Sequence, residues 1–164
     1  MDEKPPKCEA SKPLKILWYG HYSNFKHLEK IKPPADAVLE IVTSPGQHQY
    51  KVWSPEVMKD AYEWCDLVIV PADSPLKSPN RQIEAIRQGR FVVASDLPQH
   101  RPTGTYCGDI NEGIEWYRNN LPEALERLKT AQEKVKELYN PERIGEQWRS
   151  ALETIYQSKL RAAA

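Results

Sequence analysis

The sequence lacks any apolar stretch of the roughly 18 residues needed to cross a bilayer, and its start, MDEKPPKCEASKPLK, is polar where a secretory signal would be apolar. A soluble, cytoplasmic chain with no membrane span is the expectation. It has no excess of charge of either sign, with 23 Lys and Arg against 23 Asp and Glu. That balance removes the overall electrostatic footprint of a nucleic-acid or anionic-membrane partner. Cysteine is scarce, and none of Cys8, Cys65 and Cys107 belongs to a C-x-x-C pair. They read as reduced thiols in core or loop positions, with no activating base beside them. His21 and His27 have no third ligand at a telling spacing, so no metal is expected. Glycine is missing where nucleotide motifs need it. Gly20 stands alone in its loop without G-x-G-x-x-G spacing, and no Walker loop occurs, which argues against a bound dinucleotide pyrophosphate. No Ser/His/Asp or Cys/His arrangement stands out for nucleophilic catalysis.

What is present is concentrated between Asp66 and Asp96, in DLVIVPADSPLKSPNRQIEAIRQGRFVVASD. Residues 67–70 form an unbroken apolar run of the kind buried on both faces of a parallel sheet. After a loop, Ser78 is placed as N-cap and Pro79 as first helical residue, Ile83 and Ile86 mark a buried stripe, and Gly89 suits a left-handed helix stop. Residues 91–94 form the next strand. This is a βαβ unit, and the dipole and free N–H groups at its helix start, with Lys77 and Arg81 beside them, suit a phosphate. A solvated loop with ordinary surface cations fits the same residues.

Around this unit the pattern predicts strands at 14–19, ending at Gly20, at 37–42 and, weakly, at 50–53. Helices are expected at 21–32, stopped by Pro33 and Pro34, and at 56–64 behind the cap pair Ser54 and Pro55, burying Val57, Ala61 and Trp64. Strands alternating with helices imply an open α/β fold with a parallel sheet of about five or six strands, a single Rossmann-like domain. The C-terminal third becomes helical. A short helix runs through Trp116, a longer one carries an apolar stripe from Leu121 to Leu138, and Asn140 and Pro141 open a last helix. There Ile144, Trp148, Ala151, Leu152 and Ile155 are expected to face inward, and all five tryptophans default to core or interface anchors. Residues 1–13 read as a linker, 14–160 as the domain, and 161–164 as a cloning-derived tail.

With strand order 3-2-1-4-5, the first and fourth strands are neighbours and the crevice at their carboxyl ends is the ligand site. That selects Gly20 and His21 in one loop, and the loop 72–78 with Lys77 and Ser78, followed by Asn80, Arg81 and Glu84, in the other. Glu84 suits hydrogen bonds from sugar hydroxyls; it equally fits a solvated helix charge. His100 and Arg101 border the same end of the sheet, where loop filling is the simpler role.

The residues E63-W-C-D-L-V-I-V-P71, K77-S-P-N-R81, Glu84-Ala85, Gly89 and V92-V-A-S-D-L-P98 together resemble the C-terminal, nucleotide-sugar-binding half of group-1, family 4-like GT-B glycosyltransferases. The resemblance extends from the first strand to the segment around Tyr139–Ile144 and Trp148. It implies a transferase of polysaccharide biosynthesis that binds a nucleotide-diphosphate sugar through Gly20, His21, Lys77, Ser78, Asn80, Arg81 and Glu84. No cofactor or metal is implied, and the nucleotide sugar is substrate. Glu84 stands where the second acid of the family's paired-glutamate motif falls, which marks it as catalytic. Eight positions earlier, where the first acid falls, this chain has Leu76, with Asp73 nearby in the loop. The length holds one of the family's two halves, so an N-terminal acceptor domain is the implied missing partner. A noncatalytic α/β interaction or regulatory module is the competing reading. A receiver-like flavodoxin fold ranks below both, because the first strand ends in Trp-Tyr-Gly and not in an acidic cluster.

Overall fold

The computed structural model describes residues 3–47 and 49–162. Its strands are β1 (Leu14–Gly20), β2 (Ala37–Thr43), β3 (Lys51–Val52), β4 (Leu67–Val70), β5 (Phe91–Ala94) and β6 (Tyr106–Cys107). They form one sheet in the order β3-β2-β1-β4-β5-β6, with every pairing parallel. The expected order is present, and Cys107, read as part of a turn, lies instead in the added edge strand. The helices are α1 (Pro55–Trp64), α2 (Asn80–Arg87), α3 (Ile110–Asn119), α4 (Leu121–Leu138) and α5 (Pro141–Ala162).

All eight residues of β4 and β5 are buried, which requires cover on both faces of the sheet. Each large aliphatic side chain among them contributes about 1.5–3 kcal/mol relative to exposure. From α3, Trp116 and Tyr117 pack their rings 5.9 and 5.0 Å from that of Phe91. Ala124, Leu128, Ala131 and Val135 form the buried stripe of α4, and Trp18 is fully enclosed in the core.

The caps follow the residues that specify them. Ser54 accepts a hydrogen bond from the Val57 amide at 3.1 Å, and Asn140 Oδ1 accepts from Glu142 at 2.8 Å. Gly89 has φ +69°, and with it Arg90 N–H reaches the Ala85 carbonyl while Gly89 N–H reaches Ile86, the paired bonds of a Schellman stop. In α1 the buried set is Met58, Ala61 and Tyr62, while Val57 and Trp64 are half-buried, so the inward face is rotated by about one residue from the expected one. At α2 the helix begins one residue later than expected. Pro79 holds the cap position, and Ser78 Oγ accepts from the Asn80 amide at 3.2 Å.

Two expectations fail on geometry. Residues 21–32 are not an α-helix. A 3-10 helix covers Tyr22–His27, and Leu28 and Ile31 then bond to Phe25 and Leu28, three residues back. Phe25, Leu28 and Ile31 recur strictly every third residue, the period of a 3-10 helix, and all three are half-buried. The second failure is α5. Ile144 is half-buried, but Ala151 is exposed, and Trp148, Leu152 and Ile155 are 66%, 59% and 54% exposed. The apolar stripe exists, and nothing among the described residues covers it.

The opening segment carries no helix or strand and lies against the domain. Lys4 and Lys7 donate backbone hydrogen bonds to Arg87 and Gly89, and Gln132 of α4 donates to the Lys4 carbonyl. Lys7 Nζ lies 2.6 Å from Asp66 Oδ1, whose side chain is fully buried. The same carboxylate accepts from Ser11 N–H, Ser11 Oγ and Lys15 N–H, so a buried charge is fully matched. Residues 1–2, part of the expected linker, and 163–164 of the expected tail lie outside the described residues.

Candidate functional site

The central strands β1 and β4 end side by side, and the loops leaving them carry the residues singled out in the sequence. Three cavities open near this end of the domain. The first, about 380 Å³, is lined by Tyr19, Gly20, His21, Ser44, Pro45, Trp53 and Arg81. A second, about 410 Å³, shares Trp53 and adds Glu84, Tyr62 and Lys4. The third, about 500 Å³, lies on the other side of the β1 loop and is lined by Lys26, His27, Lys30 and Asp73 among others. Such volumes suit small ligands, and the neighbouring cavities are large enough together for one with several parts.

Gly20, His21 and Arg81 come together in the first cavity. Arg81 Nη1 donates to the Tyr19 carbonyl at 2.9 Å, and a Cβ on Gly20 would stand 2.9 Å from that nitrogen and 3.1 Å from the Trp18 ring. Gly20 therefore leaves the space through which the guanidinium reaches the end of β1. Burial lowers the pKa of Arg81 from its ordinary value, yet a guanidinium stays charged in proteins. The Ser44 hydroxyl in the same wall is buried and has no hydrogen-bond partner among the described residues. His21 is exposed, and its Nδ1 accepts from the Ser23 amide at 3.3 Å, capping the 3-10 helix. Trp53, expected as a core or interface anchor, is 53% exposed and forms the wall between the first two cavities. Its position at the end of the weak strand expected at 50–53 gave no sign of that role.

Glu84 faces the second cavity, separate from Lys77. Tyr62 donates to the Tyr19 hydroxyl at 2.7 Å, and Tyr19 Oη stands 3.0 Å from the Arg81 carbonyl and 3.2 Å from Glu84 Oε2. Burial, and after it nearby negative charge including that of Glu84, pushes both phenol pKa values far upward, so both hydroxyls remain donors. The pair holds one oxygen of Glu84. Neither tyrosine was singled out in the sequence as a site residue.

Lys77 and the loop 72–78 belong to a different cluster. Lys77 Nζ donates to Asn24 Oδ1 at 2.8 Å, and Asn24 in turn donates to the His21 carbonyl, which ties the two loops. Asp73 lies 2.8 Å from Lys26 Nζ, 3.5 Å from His27 Nε2 and 3.8 Å from Lys77 Nζ. The Lys26 hydrogen bond holds its carboxyl below the ordinary range, while burial lowers His27 and favours the neutral ring. Ser78 and Asn80 are exposed on the loop and first turn of α2, and Leu76 is 93% exposed with no polar atom to offer. His100 is buried, with Nδ1 2.9 Å from the Ser95 carbonyl, and fills its loop, whereas exposed Arg101 pairs with Asp96. Among the described residues no three His, Cys, Asp or Glu side chains are grouped as a metal would need, and no helix is long and apolar enough to cross a membrane.

No family model matches the chain, and no curated protein sequence matches it. Solved structures do. TarM is similar over 92% of this chain and 37% of its own, at 16% identity and TM-score 0.66. Alr3699/HepE of Anabaena, in complex with UDP-glucose, is similar over 86% of this chain and 49% of its own, at 15% identity and TM-score 0.63. The same protein with UDP and glucose gives TM-score 0.59 at 15% identity, over 86% of this chain and 48% of its own. The chain thus spans between about a third and a half of the length of these structures. At this level of identity the likeness establishes the fold, a Rossmann-like α/β domain of the kind found in GT-B glycosyltransferases.

Proposed function

We propose that the chain is the donor-binding domain of a glycosyltransferase, holding a nucleotide-diphosphate sugar for transfer to an acceptor hydroxyl. The observation that carries this reading is the first cavity, at the switch point of the sheet, where an aromatic face, a buried guanidinium and an unpartnered buried hydroxyl converge. A nucleobase stacks on Trp53, and its ribose hydroxyls donate to the Glu84 carboxylate beyond it. The diphosphate runs across Gly20 towards Lys77 and the start of α2, where cations and N–H groups stabilise the leaving group as charge develops. A second half, not present in these residues, supplies the acceptor. The bare stripe of α5 supports such a partner, and the larger size of the UDP-binding neighbour is in keeping with it.

Calorimetric titration with UDP, GDP and ADP and their glucose conjugates tests this. At least one binds in the millimolar range or tighter, and Trp53→Ala, at an exposed site, weakens it about tenfold, since a base stacked on an aromatic ring contributes about 1–3 kcal/mol. Absence of binding by all of them overturns the reading. Leu76 favours a second one, a module that binds donor without transferring sugar, because a fully exposed aliphatic side chain replaces an acid. Donor binding without release of diphosphate, when the acceptor-binding half is supplied, selects that alternative.

A further inference from the structure

We infer that Asp73 is the specificity-determining residue of the crevice: it serves as an internal counter-ion to Lys26 and Lys77, and an anionic ligand enters only by exchanging with its carboxylate. The inference rests on the proposed donor site for the identity of the ligand, but its geometry is independent of it. Asp73 lies at the carboxyl end of β4, in the loop that faces the β1 loop, and gathers Lys26, His27 and Lys77 within 2.8 to 3.8 Å. These three come from two segments with no sequence proximity, so the carboxylate is what draws the cations of both loops to one point. His27 has little exposed surface and is held neutral by burial, which leaves two lysines against one acid.

The cluster is built to be opened. Asp73 is half exposed and Lys26 more so, and exposed ion pairs contribute little to stability. Lys77 is already anchored by Asn24 and needs no carboxylate to keep its place. Lys30 and Asp109 line the same 500 Å³ cavity as Lys26 and Asp73, so its charges balance until the Asp73 carboxylate leaves, and only then is there a positive excess for a ligand. A ligand with two phosphate groups brings enough charge to satisfy both lysines once the carboxylate has left. A nucleoside brings none, and leaves Asp73 where it is. Asp73 therefore sets a threshold of ligand charge that separates a diphosphate from a neutral ligand of the same shape.

The test uses Asp73→Asn and Asp73→Ala in the full chain, with inorganic pyrophosphate, UDP and uridine titrated at 50 mM salt. Removing one unit charge about 4 Å from the lysines is expected to tighten pyrophosphate and UDP about fivefold. Uridine should be unchanged, and the gain should shrink at 500 mM salt as screening shortens the range of the charges. Melting temperatures within a degree or two of wild type establish that both variants fold, and either variant suffices if the other does not. Tightening of pyrophosphate without any nucleotide binding supports the exchange and overturns the donor-site reading. Nucleotide binding that ignores the substitution does the reverse. Failure of pyrophosphate to bind any of the three proteins, or equal gains for uridine and UDP, overturns the role of Asp73.

Discussion

The two ends of the described chain reverse each other's sequence character. The opening segment is polar, proline-broken and without periodicity, yet it is fastened to the domain by backbone hydrogen bonds at Arg87 and Gly89 and by a buried carboxylate at Asp66. The final helix has a clean apolar stripe, yet Trp148, Leu152 and Ile155 stand open. Periodicity reports that a face needs cover and says nothing about what supplies it. Docking through main-chain groups and one ion pair leaves almost no periodic signature at all.

This contrast can be broken in three ways, from the largest expected effect downwards. Lys7→Ala removes the cation from a fully buried carboxylate, and because Lys7 itself is partly exposed the loss of unfolding free energy should be about 2–3 kcal/mol, measured by urea denaturation. A loss under about 0.5 kcal/mol would mean that the segment is a linker after all. Gly89→Ala forces a side chain into φ +69°, with its Cβ placed against the Pro5 carbonyl. The left-handed conformation alone costs about 1–2 kcal/mol, and the amide of Lys7 should lose hydrogen-exchange protection as the segment is pushed off. Trp148→Ser should leave stability within about 0.5 kcal/mol, since the side chain is exposed. A drop above about 1 kcal/mol would show that the stripe is covered in solution, and sedimentation of the two proteins would then tell self-association from packing within the chain.

Much of the fold was legible because local signals agreed with one another. The runs at 67–70 and 91–94, the cap pairs at Ser54 and Asn140 and the stop at Gly89 each act within a few residues, and together they imply the strand order. The helix expected at 21–32 rested on its proline stop, whereas Phe25, Leu28 and Ile31 recur every third residue and suit a 3-10 helix. The site was legible only as loops. Gly20, His21 and Arg81 meet in one cavity, but Glu84 is turned into the next by Tyr19, and Lys77 is held in a cluster with Asp73. Lys26 and Asp73 are separated by 47 positions, so no motif could announce their pairing. Trp53 was read as a core or interface anchor because aromatic residues usually take those places, and its exposed wall position depends on how the β2 and β3 loops fold.

The fastening of the opening segment also orders events in time. Lys4 meets Gln132 across 128 positions, while β1 completes its pairing as soon as β2 and β4 exist. Contacts that close long stretches of chain form late, because their entropy must be lost before they repay it. During synthesis the opening segment therefore emerges well before its partners, and its last contact forms only when α4 has been made.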